Sequence, residues 1–155
     1  MADSADNPGV IAPPPLIYGA ALLLALLLHR LQPMPIFGRA YALWPGVLLA
    51  ALGVALAIWG RQALVSVGTN INPYRPSTAI VDSGPYRFSR NPLYVSLTLI
   101  YSGLTLAFDT WWGFILLLAV LIVMHLGVIR REERYLEGKF GESYRRYRAR
   151  VRRYL

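Results

Sequence analysis

The chain has 155 residues, a net charge of +8 and no cysteine, and 55% of its residues are hydrophobic. The lack of cysteine excludes disulfides, thiolate metal sites and cysteine nucleophiles. The apolar residues form long runs that a small soluble core could not bury, so we expect a single-domain membrane protein. Positive charge then suits the flanks of membrane spans better than it suits nucleic acid.

Four apolar runs are predicted to be transmembrane helices, because each approaches the ~20 residues that a span requires. They cover about residues 16–31, 40–60, 92–108 and 111–129. Prolines separate the first two runs, and only Asp109 and Thr110 separate the last two. So short a connection predicts that the third and fourth helices form an antiparallel hairpin.

Two polar segments remain, residues 61–91 and residues 130–155. The first is rich in turn-forming residues and long for a connection in a small protein, which is typical of a functional loop. In the second, apolar side chains recur every three or four residues, which predicts an amphipathic helix. These side chains are Leu136, Phe140, Tyr144, Tyr147, Val151 and Tyr154.

Basic residues are unevenly divided between the two predicted sides of the membrane. Four spans place both termini and the 61–91 loop on one side, and only Arg30 and Arg39 of the 16 basic residues fall on the other. Because basic residues are enriched on the cytoplasmic side, we expect a multi-pass cell-membrane protein with cytoplasmic termini and loop. The predicted fold is an all-α integral membrane bundle of four transmembrane helices with a cytoplasmic amphipathic C-terminal helix, residues 130–155.

Two arginines, Arg87 and Arg90, stand just before the third helix. One interpretation is that both reach lipid phosphates, as interfacial arginines often do. The alternative is an anion clamp, because a guanidinium binds a carboxylate with two parallel hydrogen bonds. Pro92 suits the first turn of the helix and Asn91 its cap. Such a helix start would offer backbone N–H groups to an anion.

Glu132 and Glu133 follow the fourth helix. They could be surface charge, with Glu133 paired to Arg130, or carboxylates at the mouth of a pocket that hold an ammonium or ribose hydroxyls. The tyrosines of the tail are predicted to lie at the membrane interface. His125 is predicted to be a packed, hydrogen-bonded residue. No set of residues has the spacing of a metal site, so we predict no metal.

Two ordered motifs resemble those of a known family. The first is Val81-Asp82-Ser83-Gly84-Pro85-Tyr86 followed by Arg90-Asn91-Pro92-Leu93-Tyr94, and the second is Glu132-Glu133 and Leu136 followed by Phe140-Gly141-Glu142-Ser143-Tyr144. Over residues 70–155 the chain resembles the integral-membrane methyltransferases that include isoprenylcysteine carboxyl methyltransferase and phosphatidylethanolamine N-methyltransferase. The eukaryotic isoprenylcysteine enzymes have histidine where this chain has Asn91. Asparagine does not titrate near neutrality, so no proton-transfer role is assigned to it.

The resemblance implies S-adenosylmethionine as cofactor and a lipophilic small molecule or lipid as methyl acceptor, with membrane lipids around the protein. Arg90, with the backbone near Asn91, suits the cofactor's carboxylate, and the glutamates suit its ammonium or ribose. Tyrosine hydroxyls or rings could face the rest, including the sulfonium. The implied cofactor-binding residues are Tyr86, Arg90, Asn91, Pro92, Tyr94, Glu132 and Glu133. Methyl transfer needs mainly alignment of the reactants, so no catalytic residue is named.

Two other interpretations stay open. A membrane reductase of the sterol-reductase type would use NADPH, and we would expect it to have a longer chain and more basic residues around the cofactor's phosphate. A non-enzymatic, basic membrane-anchoring protein would explain the arginines. It would not explain the ordered loop motif and the glutamate pair.

Overall fold

The computed structural model describes residues 7–70 and 75–154. Within these ranges the chain is helical, with no strand longer than a single bridge. The α-helices are α1 Pro14–Leu31, α2 Arg39–Ser66, α3 Pro92–Ala107, α4 Trp111–Met124, α5 Arg130–Phe140 and α6 Glu142–Arg150. A short 3₁₀ turn, Gly84–Arg87, precedes α3. A π-helical segment, His125–Ile129, joins α4 directly to α5.

Three helical stretches are long and apolar enough to cross a membrane, counting only the described residues. They are α1, α2 and the continuous helix Trp111–Phe140. The fourth predicted span, α3, is apolar but has 16 residues, which is about 24 Å of helix against a hydrocarbon core of about 30 Å. The protein is therefore an all-helical membrane protein, and its four-span topology stays a prediction.

Close backbone contact joins α3 to α2. A Cβ atom added to Gly103 of α3 would collide with the backbone of Ala50 in α2, and one added to Gly46 of α2 would collide with the backbone of Ala107. Small residues allow such approach, which membrane helices use because lipid gives them no hydrophobic reason to associate. The glycines therefore fix α3 against α2, while α1 packs on α4 and α3.

We expect Gly103→Ala to lower the thermal unfolding midpoint in detergent, because the added methyl group must push the helices apart. Overpacking of this kind costs about 1–3 kcal/mol. The matched control is Gly19→Ala in α1, where an added Cβ meets open space. Equal midpoints for the two variants would contradict this description of the helix contact.

The turn between α3 and α4 confirms the predicted antiparallel hairpin. Asp109 has a φ of 54°, and α4 begins two residues later. The Asp109 carboxylate accepts hydrogen bonds from the backbone N–H groups of Ile36, at 2.9 Å, and Phe37, at 3.0 Å. This end of the bundle is therefore held together by a buried carboxylate that ties the α1–α2 connection to the α3–α4 turn.

Two predicted boundaries differ from the structure. Helix α2 continues past residue 60 to Ser66, so the predicted loop 61–91 begins as helix. The predicted helix 130–155 is broken at Gly141, whose φ of 52° is in the left-handed region that favours glycine. It ends at Arg150, and the following residues are extended. Residues 71–74 of the loop and residue 155 lie outside the described residues.

Candidate functional site: a pocket between the loop, α5 and the C-terminal tail

The end of the loop and the C-terminal segment are neighbours in the structure. Ser89 forms a β-bridge with Arg152, and the backbone N–H of Arg90 donates to the Arg152 carbonyl at 2.9 Å. The Tyr147 hydroxyl donates to the backbone carbonyl of Tyr86 at 2.8 Å. Segments more than fifty residues apart in sequence thus form one polar wall beside α3 and α5.

A cavity lies between these segments, and six of the seven predicted cofactor-binding residues line it. They are Tyr86, Arg90, Asn91, Tyr94, Glu132 and Glu133. Pro92 is not among the residues that line the cavity. It is buried in the first turn of α3, the position predicted for this proline. The centres of water molecules could occupy about 140 Å³, roughly ten times the ~10–15 Å³ that one water needs. The space is therefore of small-molecule size.

The π-helical segment His125–Ile129 lies between α4 and the residues of α5 that reach the cavity. A π turn holds one more residue than an α turn, so it rotates the side chains that follow by about 100° about the helix axis. Glu132 and Glu133 therefore face directions that an uninterrupted α-helix would not give them. Sequence periodicity did not reveal this segment, because apart from His125 its residues are apolar like the helix around them.

Glu133 is bound by two arginines from distant parts of the chain. Arg90 Nη2 lies 3.0 Å from Glu133 Oε1, and the two side chains are only 8% and 9% exposed. Arg153 donates from Nε to Oε1 at 3.0 Å and from Nη2 to Oε2 at 2.7 Å, and these bonds raise the pKa of Arg153. Of the two interpretations of the glutamates, surface charge with Glu133 paired to Arg130 is therefore wrong for Glu133. The carboxylate is buried, and its partners come from the loop and the tail.

Arg90 keeps unused hydrogen-bonding capacity in this arrangement. Its Nε and Nη1 atoms are buried and have no hydrogen-bond partner among the described residues. A buried donor without a partner costs free energy, more so when the group is charged. Because Arg90 also lines the cavity, these donors could bind an anionic group placed there. Arg87, in contrast, is exposed.

Glu132 is held differently from its neighbour. The Tyr94 hydroxyl donates to Glu132 Oε1 at 2.6 Å, and no cation pairs with Glu132 within the described part of the chain. Both side chains line the cavity. Glu132 therefore gives the cavity a carboxylate that remains available to a cation or a hydroxyl, whereas Glu133 is already neutralised by arginines.

Asn91 begins α3 but does not cap it in the predicted way. Its side chain makes no hydrogen bond to the helix; instead Nδ2 donates to the Arg153 carbonyl at 2.9 Å. The Asn91 carbonyl accepts hydrogen bonds from the backbone N–H groups of Tyr94 and Val95, as the residue just before a helix does. The asparagine thus ties the helix start to the C-terminal segment, which explains why its side chain is not available as a cap.

The sequence predicted that the tyrosines of the tail lie together at the membrane interface, but two of them are buried inside the protein. Tyr144 and Tyr147 are 2% and 5% exposed and pack against the wall of the cavity. Burial raises the pKa of Tyr144 to about 12, and it also raises the pKa values of Tyr86 and Tyr147. All three phenols are therefore neutral near pH 7 and serve as polar but uncharged lining.

The prediction that His125 is a packed, hydrogen-bonded residue is confirmed. Its Nδ1 atom lies 2.6 Å from the Tyr154 hydroxyl, and the two ring centroids are 6.3 Å apart. This contact fastens the last described residue of the chain to the π-helical segment.

The fold and the pocket together define a helical membrane protein with a buried arginine–glutamate site at one end of its apolar helices. The chain belongs to the phospholipid methyltransferase family, which it matches over residues 41–143. The predicted resemblance to the isoprenylcysteine and phospholipid methyltransferase group is thus confirmed. The family is one of membrane methyltransferases, so methyl transfer is the general activity class of the chain.

Two curated proteins are similar to parts of the chain. An uncharacterized protein of Haemophilus influenzae is 41% identical over 63 residues, which are 41% of this chain and 100% of that protein. The cobalt-zinc-cadmium resistance protein CzcN of Cupriavidus metallidurans is 36% identical over 96 residues, which are 61% of this chain and 42% of CzcN. The chain thus spans less than half of the length of CzcN. No solved structure gives a significant match.

Proposed function

We propose that the protein uses S-adenosylmethionine to methylate a lipophilic or membrane-embedded acceptor. It would do so in the cell membrane, with the loop 61–91 and both termini in the cytoplasm. The observation that carries the proposal is that one cavity holds both Arg90 and Glu132. Arg90 has two buried donors with no partner among the described residues, and the Glu132 carboxyl group pairs with no described cation. A cationic hydrogen-bond donor beside an anionic hydrogen-bond acceptor suits a ligand that carries a carboxylate and an ammonium on one carbon.

The residues around the cavity fit the parts of this cofactor. The Arg90 guanidinium can give two parallel hydrogen bonds to the amino-acid carboxylate. Glu132 can accept from the ammonium or from ribose hydroxyls, and Tyr94, already bound to Glu132, fixes its direction. The neutral ring of Tyr86 lines the same space, and an aromatic face attracts a sulfonium through its quadrupole.

S-adenosylmethionine, when bound, would supply an electrophilic methyl group on a sulfonium sulfur for transfer to the acceptor, with the thioether as leaving group. The chain's contribution would be alignment, because fixing two reactants in one geometry removes most of the entropic barrier to their meeting. Arg90 and Glu132 would hold the amino-acid end of the cofactor and so orient the methyl group toward the acceptor. Pro92 and Asn91 set the start of α3, which positions Arg90.

A lipophilic acceptor is supported by the apolar part of the cavity wall. Leu64, near the end of α2, and Leu93, in the first turn of α3, both line the cavity. These residues continue the apolar surfaces of helices that suit a membrane. An acceptor with a hydrocarbon tail could therefore keep its tail among the helices while its polar end meets the cofactor.

Transfer of a labelled methyl group tests the proposed function. Purified protein is incubated with radiolabelled S-adenosylmethionine and a bacterial lipid extract, and the organic phase is counted and fractionated. We expect label in an extractable compound, and a loss of that label in the Glu132→Gln variant. Label that stays in the aqueous phase with both proteins would contradict methylation of a lipophilic acceptor in that extract.

The predicted topology is tested by single cysteines, since the chain has none of its own. We expect Ser83→Cys and Ser143→Cys, both at exposed positions, to react with an impermeant maleimide only after the membrane is opened. Phe37→Cys, in the connection between α1 and α2, should react from the outside. Labelling of position 83 or 143 in intact cells would contradict the orientation.

A further inference from the structure

The C-terminal segment after α6, residues 151–154, turns back and lies against the cavity wall, outside the residues that match the family. Three groups of contacts hold it there. The Arg152 carbonyl accepts from Arg90, and the Arg153 carbonyl accepts from the Asn91 side chain at 2.9 Å. Tyr154 contacts His125. The segment thus touches the loop, the start of α3 and the π-helical segment at once.

Arg153 limits the number of hydrogen bonds that Arg90 can form with Glu133. Its guanidinium occupies both carboxylate oxygens, from Nε at 3.0 Å and from Nη2 at 2.7 Å. Arg90 reaches the same carboxylate through Nη2 alone, at 3.0 Å. A carboxylate binds one guanidinium with two parallel bonds most favourably. Because Arg153 takes that position, Arg90 is limited to a single bond and its Nε and Nη1 donors stay unused.

We propose that Arg153 is a positioning residue of the cofactor site, and this inference rests on the function proposed above. By occupying Glu133, Arg153 prevents Arg90 from forming two parallel bonds with Glu133. One edge of the Arg90 guanidinium, formed by Nη2 together with Nε or Nη1, thereby stays free for the carboxylate of the cofactor. In the absence of Arg153, Arg90 would turn to give Glu133 two parallel bonds, and the edge of its guanidinium that the cofactor needs would no longer be aligned with the cavity.

If Arg153 positions Arg90, replacing Arg153 should weaken the binding only of ligands that carry the amino-acid carboxylate. S-adenosylhomocysteine has the amino-acid carboxylate, whereas 5′-methylthioadenosine keeps the adenosine and the thioether but lacks the amino acid. We expect Arg153→Gln to weaken S-adenosylhomocysteine about tenfold, the order of one charge-assisted hydrogen bond. The affinity of this variant for methylthioadenosine should change less than about twofold, since that ligand has no carboxylate to bind Arg90.

The experiment measures both affinities in one detergent for the parent and three variants. Arg153→Lys keeps the charge but cannot occupy both oxygens in the same way, so it should recover part of the lost affinity. Arg146→Gln removes an exposed arginine from α6 and is the matched control, with both affinities expected at the parent value. All variants are compared by unfolding midpoint as well.

The outcomes separate the inference from the proposed function. A selective loss for S-adenosylhomocysteine in Arg153→Gln, with partial recovery in Arg153→Lys, supports the positioning role. Equal losses for both ligands would mean that Arg153 only stabilises the fold, and no loss would mean that Arg90 does not depend on it; either result overturns the inference alone. A parent protein that binds neither ligand would overturn the proposed function, and the inference with it.

Discussion

Replacing Arg90 with lysine is expected to weaken binding of S-adenosylhomocysteine by about tenfold to a hundredfold. Lysine keeps the positive charge beside Glu133 but has a single donor group, so it cannot give two parallel bonds to a carboxylate. The variant removes the buried Nε and Nη1 atoms of Arg90, for which the described part of the chain offers no hydrogen-bond partner. The loss should therefore appear in ligand affinity more than in the stability of the fold.

Arg87→Lys is the matched control for that experiment. Arg87 is three residues earlier in the same loop and is exposed. An exposed cation near lipid phosphate can be arginine or lysine at little cost, so the affinity should change less than about twofold. Isothermal titration of both variants in the same detergent compares them directly. Equal and small effects would mean that neither arginine holds the ligand, and the anion-clamp interpretation of Arg90 would be wrong.

The second large effect is expected at the glutamate pair, where the two residues should differ. Glu132→Gln keeps the shape of the side chain and removes a carboxyl group whose pKa burial raises to about 7 and which a bound ammonium would hold in its charged form. We expect it to weaken S-adenosylhomocysteine by about tenfold or more, because a charge-assisted hydrogen bond is worth about 1.5–3 kcal/mol. The unfolding midpoint should stay close to that of the parent, since the Tyr94 hydroxyl can donate to the amide oxygen instead.

Glu133→Gln should lower the unfolding midpoint as well as the affinity. It leaves Arg90 buried without its counter-charge, and breaking one side of a buried ion pair costs about 3–5 kcal/mol. Thermal unfolding followed beside titration separates the two glutamates. If Glu132→Gln binds S-adenosylhomocysteine as the parent does, Glu132 is not the group that meets the ammonium or ribose.

The sequence grouped residues that the structure brings to one cavity, but it did not predict the contacts between them. Arg90, Tyr94 and the glutamates were assigned together because their ordered motifs resemble a family, and the structure brings them to one cavity. The partner of Glu133 could not be predicted from helix spacing. A three-residue separation suggested Arg130, whereas the real partners are 43 and 20 residues away in sequence, at Arg90 and Arg153.

The fold was predictable where one principle acts alone. Long apolar runs have few alternatives to membrane helices, and a two-residue connection has few alternatives to a hairpin. The π-helical segment and the break at Gly141 depend on tertiary contacts of the tail and on one backbone angle. Hydrophobic periodicity reveals neither the π-helical segment nor the break, so the sequence predicts a single amphipathic helix for residues 130–155.

Ligand-induced stabilisation tests the central claim most directly. The thermal unfolding midpoint of the full chain in detergent is measured with S-adenosylhomocysteine, with NADPH and with neither. A ligand present at a hundred times its dissociation constant stabilises the folded state by about 2.7 kcal/mol. We therefore expect a clear rise with S-adenosylhomocysteine, no rise with NADPH, and loss of the rise in Arg90→Lys. A rise with NADPH alone, or no response to S-adenosylhomocysteine at any concentration, would contradict the assignment of this cavity to S-adenosylmethionine.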